Sequence, residues 1–271
     1  MLLDMATSGF GDRVILGRRS DGVTAVQLAR LAVGGAVLIR EAHADALVYL
    51  DVNGPVFPAA MFAAARAGVP LVPLNYRLGD QQLTALARQH PRALVIAKPD
   101  SPVSFDELGM DVRTSAEWIA AAEAAGDDNA PPVDSDAPAV VIYTSGTTSE
   151  PKGVMLRHHN LVSYVVSSVE FGSAGPSDVS LVSIPPYHIA AVANVITNLY
   201  AGRRSIVLEQ FSGQNWLALV RTEGVTHAVV VPTMLARIMS VQSDLSVPTL
   251  RSLAYGGAAM PKRVIVAALR A

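Results

Sequence analysis

Apolar residues in this chain come in short unbroken runs, separated by longer stretches in which alanine and polar residues recur at helical spacing. The run "ALVYLDV" (46–52) precedes the helical pattern "VFPAAMFAAARAG" (56–68), which leads to "VPLVPL" (69–74), a mixed helix around 80–90, and "RALVIA" (92–97). Strands that are apolar without alternation predict a parallel sheet covered on both faces. Strands alternating with helices predict a doubly wound α/β architecture. Near the start, Thr24 and Gln27 have capping-box spacing ahead of "LARLA", so a helix is expected to begin there.

The rhythm breaks at "GDDNAPPVDSDAP" (126–138), a stretch rich in Asp and Pro that reads as a linker. It resumes with a strand at "AVVIYTS" (139–145), a helix at 160–171 and a strand at "VSLVSIP" (179–185). Further strands are expected at 204–209, 226–232 and 250–257. Helices are expected at 213–224, with Ser212 as N-cap and Gly224 as stop, at 233–240 and from Pro261 onward. The expected organisation is two strand-helix-strand subdomains with largely parallel sheets covered by helices, 1–130 and 131–271.

Composition narrows the class. Of 271 residues, 51% are hydrophobic and 16% charged, which fits a globular chain and excludes disorder. A net charge of -2 gives no sign of a nucleic-acid surface. The longest apolar stretch, "LAVGGAVLI" (31–39), is too short to span a membrane, and "MLLDMATSGFGDRV" lacks the layout of a signal peptide. With no cysteine, disulfide and thiolate chemistry are excluded, in keeping with a cytoplasmic protein. The six histidines show no metal-ligand spacing. The positive mean hydropathy, +0.34, suits either alanine and valine filling ordinary elements, the simpler reading, or an apolar ligand or partner.

The chemistry concentrates in "YTSGTTSEPKGV" (143–154), directly after a predicted strand. Glycines and hydroxyls let backbone N–H groups turn inward into an anion-binding nest, and a lysine adds a mobile positive charge. The loop is no Walker P-loop: that pattern ends in Gly-Lys-Ser/Thr, whereas Pro151 precedes Lys152 and Gly153 follows it. A P-loop-type NTPase or kinase is disfavoured accordingly.

"YTSGTTSEPKGVMLRHHNL" resembles the phosphate-loop signature of the ANL superfamily of adenylate-forming enzymes, which includes acyl- and aryl-CoA synthetases. Thr144, Ser145, Gly146, Thr147, Thr148, Pro151, Lys152 and Gly153 match that signature; Ser149 stands where a glycine is usual. "IPPYHIAAV" (184–192) resembles the second signature, beside the carboxylate substrate, and "LAYGGAAMP" (253–261) resembles the segment against which the adenine packs. "VYLDVNGPVFPAAMFAAARAGVPLVPLNYRL" is similar to the family's scaffold ahead of the loop, so Asn75, Tyr76 and Arg77 are assigned no chemistry, although Arg77 could sit near a ligand. All three signatures follow predicted strands, and open parallel sheets bind ligands at the carboxyl ends of their strands.

The resemblance implies a two-step reaction: a carboxylic acid is joined to AMP from Mg-ATP, and the acyl group then passes to coenzyme A. By residue, Thr144, Ser145, Gly146, Thr147, Thr148 and Lys152 would hold the phosphates, Lys152 and His188 would serve catalysis, and Gly256, Gly257 and Ala258 would flank the adenine. No carboxylate follows His188 to meet a substrate ammonium, which points to an acid without an α-amine, a fatty acid ahead of an aryl acid. The small residues 190–193 suit an acyl pocket and a tightly packed helix equally well. The family's Thr-Glu signature, ribose-binding Asp, hinge and C-terminal lysine are not found, and Glu150, at a variable loop position, does not replace that Glu. The chain is therefore expected to be the N-terminal part of such an enzyme, inactive alone and prone to self-association as a homo-oligomer through uncovered sheet edges. A non-catalytic remnant that binds a nucleotide or a partner shares every motif and remains the alternative.

Overall fold

The structure is a computed structural model that describes residues 1–126, 133–144, 151–242 and 244–270. In chain order it contains α1 (Leu2–Phe10), β1 (Val14–Leu16), β2 (Val23–Thr24), α2 (Ala25–Glu41), β3 (Ala46–Leu50), α3 (Val56–Ala67), β4 (Leu71–Pro73), α4 (Asp80–Ala87) and β5 (Ala93–Ala97). There follow β6 (Asp111–Arg113), α5 (Ser115–Ala124), β7 (Pro138–Thr144), β8 (Lys152–Arg157), α6 (His158–Ser168), β9 (Val179–Val182) and α7 (Ile189–Ala201). The last elements are β10 (Arg204–Val207), α8 (Gly213–Glu223), β11 (His227–Val230), α9 (Pro232–Met239), β12 (Ser252–Tyr255) and α10 (Lys262–Ala268).

Local sequence signals explain several boundaries. At the start of α2, the Thr24 side chain accepts from the Gln27 N–H while the Gln27 carboxamide accepts from the Thr24 N–H, the reciprocal pair expected from their spacing. Helix α8 starts with the Ser212 hydroxyl accepting from the Asn215 N–H. It stops at Gly224, whose left-handed backbone (φ 63°) a residue with a Cβ adopts only at a cost.

The strands form two six-stranded sheets, β6-β5-β3-β4-β7-β8 and β12-β11-β9-β10-β1-β2. Pairing is parallel except in the hairpins β7–β8 and β1–β2. Of the linker expected at 126–138, residues 127–132 lie outside the described residues. A cut at residue 130 does not follow the sheets: β7 and β8, beyond it, complete the sheet of the first half, while β1 and β2, at the amino end, complete that of the second. Each sheet recruits an antiparallel hairpin from the other half of the chain, and short strands such as Val23–Thr24 carry too little apolar periodicity to be read in advance. No strand is predicted over 152–157 either, yet β8 forms there, exposed along most of its length. Helix α6 correspondingly begins at His158 and ends at Ser168.

One apolar cluster joins the inward sides of both sheets through α1, α2, α3 and α7. It includes Ile15, Leu28, Leu47, Phe57, Leu94, Trp118 and Ile196. The Gly34-Gly35 pair lies at its centre. A Cβ on Gly34 would collide with the carbonyl of Ala122 in α5, and one on Gly35 would collide with the Trp118 ring and with Ala63 of α3. Among the described residues no helix is long and apolar enough to cross a membrane, so "LAVGGAVLI" serves close helix packing. At the carboxyl ends of the strands, the Asn53 carboxamide, 4% exposed, donates to the Ile184 carbonyl at 3.0 Å and lies 3.5 Å from that of Leu208. This joins the loop after β3 to the ends of β9 and β10.

Overpacking of this kind costs about 1–3 kcal/mol. Gly34→Ala is therefore expected to lower Tm by roughly 2–10 °C, whereas Gly79→Ala, where a Cβ meets nothing within 4 Å, is expected to change it little. Thermal melts of the two variants side by side check this, and equal Tm values would remove Gly34 from the packing account.

Candidate active site

The stems of the phosphate-loop sequence are the facing ends of a hairpin. Thr144, the last residue of β7, pairs in register with Lys152, the first of β8, and its hydroxyl donates to the Lys152 carbonyl at 3.4 Å. Ser145, Gly146, Thr147, Thr148, Ser149 and Glu150 lie outside the described residues. One residue before Thr144, the Tyr143 hydroxyl donates to the Gln89 carboxamide at 2.9 Å and lies 2.9 Å from His90 Nε2, which fixes the end of β7 against the loop after α4. Both Thr144 and Lys152 are exposed. Among the described residues no carboxylate lies within ion-pair distance of Lys152, so its charge is available to an anion.

His188 sits on the other sheet, between β9 and α7. Its N–H donates to the Pro185 carbonyl at 3.1 Å, and it occupies the N-cap position of α7 without a side-chain cap. Its ring lies 4.6 Å from that of the buried Tyr187, whose ring meets Tyr76 edge-on at 5.2 Å. Arg77 stands over Tyr76, with its guanidinium carbon 5.8 Å from the ring centroid. Tyr76 and Arg77 follow β4, the strand beside β7. Neighbouring strands lie about 4.8 Å apart, so this contact brings His188 to the same carboxyl edge as the hairpin stems.

Gly256, Gly257 and Ala258 follow β12, two strands from β9, and all three are exposed. Gly257 has φ +83°, and Gly256 leaves open space where a side chain would stand. A flat ring could approach that backbone closely. Tyr255, 50% exposed, presents an aromatic face beside it. In α7, Ala191 and Val192 are fully buried in the core, so helix packing accounts for them, while Ala190 and Ala193 are half-buried. Among the described residues no group of three His, Cys, Asp or Glu gathers to hold a metal ion.

Sequence alone does not assign Tyr76 and Arg77 chemistry at this site, though it allows Arg77 a place near a ligand. They lie 111 positions before Tyr187 and His188, and only the tertiary contact unites them. The one available signal was an aromatic-arginine pair directly after a buried strand.

Two largely parallel sheets with the candidate loops at the carboxyl ends of their strands have the layout in which open α/β sheets bind ligands. The chain belongs to the family of AMP-binding enzymes, whose family model matches residues 6–271. Feruloyl-CoA synthase from an Amycolatopsis species is 34% identical over 245 residues, covering 87% of this chain and 48% of that protein. Indoleacetate–CoA ligase from Aromatoleum aromaticum is 30% identical over 243 residues, covering 83% and 47%. The chain thus spans about half the length of the curated relatives it matches. Its fold is that of the inhibitor-bound N-terminal domain of FACL13 from Mycobacterium tuberculosis, with TM-score 0.84 at 24% identity over 99% of this chain and 72% of that one. These two relatives are named as acid–CoA ligases, a class that uses ATP and coenzyme A.

Burial holds the pKa of His188 below its ordinary value, and the nearby Arg77 charge lowers it further, although one side of the ring stays open to solvent. Burial likewise lowers His90, His158 and His227. Each is neutral in the folded chain at pH values where its unfolded counterpart, with pKa 6.5, begins to protonate. Below that value the unfolded state binds more protons, so stability declines as the pH falls. Tm is expected to be lower at about pH 5.5 than at pH 7, with the slope flattened in the double variant His158→Gln/His188→Gln. An equal slope in that variant would exclude these two histidines as its source.

Proposed function

We propose that this chain carries the nucleotide-facing part of an enzyme that activates a carboxylic acid with ATP and passes the acyl group to coenzyme A. The observation that carries the proposal is the family match, together with a phosphate-loop hairpin whose Thr144 and Lys152 stems reach the same edge as His188. In the first step the acid's carboxylate oxygen bonds to the α-phosphorus of ATP, the bond to the bridging oxygen breaks, and pyrophosphate leaves. In the second, the sulfur of coenzyme A bonds to the acyl carbon and AMP leaves. Thr144, Ser145, Gly146, Thr147, Thr148 and Lys152 hold the β- and γ-phosphates in this reading. Gly256, Gly257 and Ala258 flank the adenine, and His188 borders the acid. Mg²⁺ comes with the nucleotide's phosphates, and no described residue is assigned to it. Positioning and charge neutralisation supply most of the rate.

The acid in this reading is apolar and lacks an α-amine, since among the described residues no carboxylate is found acting on His188 that could receive an ammonium. A fatty acid suits this reading. An aryl acid is the second reading, supported by relatives named for ferulate and indoleacetate.

Lys152→Ala should weaken ATP binding roughly 10- to 100-fold, equivalent to the ~1.5–3 kcal/mol of a charge-assisted hydrogen bond. Calorimetry measures it, and equal affinities in the two proteins would remove this loop from phosphate binding. Acid-dependent ATP–pyrophosphate exchange on the natural full-length protein, across fatty and aryl acids, identifies the substrate class. Nucleotide binding without exchange for any acid would mark a binding remnant instead.

A further inference from the structure

The segment Ser183–Ile189 presents His188, with Ser183, Ile184 and Tyr187 buried. Pro185 and Pro186 have no N–H to donate. The first backbone hydrogen bond that closes the turn is the one from the His188 N–H to the Pro185 carbonyl. The segment also lies one residue beyond the end of β9, outside the sheet ladder. Beyond the packing of Ile184 in the core of its own sheet, the first half of the chain supplies two contacts that hold it. The buried Asn53 carboxamide donates to the Ile184 carbonyl, directly ahead of the two prolines, and reaches the Leu208 carbonyl beyond β10. The Tyr76 ring packs edge-on against Tyr187, directly after them. The proline pair is thus held at both ends by residues with no bond to each other.

We propose that Asn53 and Tyr76 are positioning residues that hold His188 in register with the phosphate-loop hairpin. The proposal rests on the reading of His188 as the border of the acid pocket. Both act from the sheet that carries the hairpin: Asn53 from the loop after β3 and Tyr76 from the loop after β4, next to β7. A side chain on one sheet therefore takes its place relative to the other sheet through these two contacts. The charged and titratable groups facing His188 are Arg77 and Tyr76 from the β4 loop and Tyr187 from its own segment; α7 contributes none.

The test follows the His188 imidazole by NMR in the chain with ¹⁵N-labelled histidine, its resonance assigned by His188→Gln. Asn53→Ala and Tyr76→Ala are expected to move the resonance and to raise its titration midpoint by about half a pH unit or more, as burial and the neighbouring Arg77 charge are lost. Tyr76→Phe, which keeps the ring, is expected to restore the wild-type position. Leu94→Ala, a core change remote from the segment, lowers Tm and should leave His188 unmoved. Should Asn53→Ala fail to fold, the Tyr76 pair decides the matter alone. An unmoved His188 in Tyr76→Ala, or movement in Leu94→Ala as large as in the other variants, overturns the proposal. Calorimetry with ATP on the same samples keeps the two claims apart: loss of nucleotide binding in wild type would count against the proposed function, and an unmoved His188 against the positioning role.

Discussion

The close approach of α2 to α3 and α5 sets the geometry on which both sheets depend. Gly34 and Gly35 allow backbone to meet backbone at Ala122 and a helix face to meet Trp118 and Ala63. Larger residues there would force the layer apart, and the two sheets rest on that layer from either side. Interiors pack at crystal-like density and yield little, so a displacement at α2 is transmitted rather than absorbed. The placing of the two sheets' strand ends therefore depends in part on the glycine pair in α2.

The alternation of strands and helices was legible because parallel strands buried on both faces must be apolar throughout. Runs such as "ALVYL" and "ALVIA" satisfy that requirement directly and are fully buried. The hairpins were not legible, for a related reason. Strand β8 carries Val154 and Met155 at 45% and 59% exposure, so the burial that marks a strand in the sequence is absent there. Strands β1 and β2 are three and two residues long, and only β1 meets a distant strand, β10, while β2 pairs with β1 alone. Long-range pairing also explains why a linker rich in Asp and Pro suggested a division that the sheets do not follow. Such a linker marks where the chain is solvated, whereas sheet membership depends on which edges meet.

The site was legible where chemistry requires particular residue types side by side in the chain. Thr144, Lys152, His188 and the Gly256-Gly257 pair fall at strand ends, and their segments carry family signatures. Asn53, Tyr76 and Arg77 were not legible as site residues, because their roles depend on contacts across more than a hundred positions. A buried asparagine reads the same in sequence whether it closes a local turn or bridges two sheets. Only the carbonyls it meets separate the two cases.

The electrostatics of the crevice support an anionic ligand. The chain as a whole carries a net charge of -2, yet Lys152 and Arg77 stand at this edge without an ion-pair partner among the described residues. Some cations elsewhere are matched, as Arg204 is with Glu223, Arg251 with Asp178 and Arg92 with Asp45, while others such as Arg30 and Arg88 have no ion-pair partner among the described residues either. A positive charge without a partner raises the local concentration of anions. Arg77 also favours a neutral His188. In the proposed reading the positive charge at this edge stays on Lys152 and Arg77, while His188, read as the border of the acid, is a neutral donor or acceptor. Such a division suits a reaction in which a polyphosphate must be neutralised while the carboxylate stays free to attack.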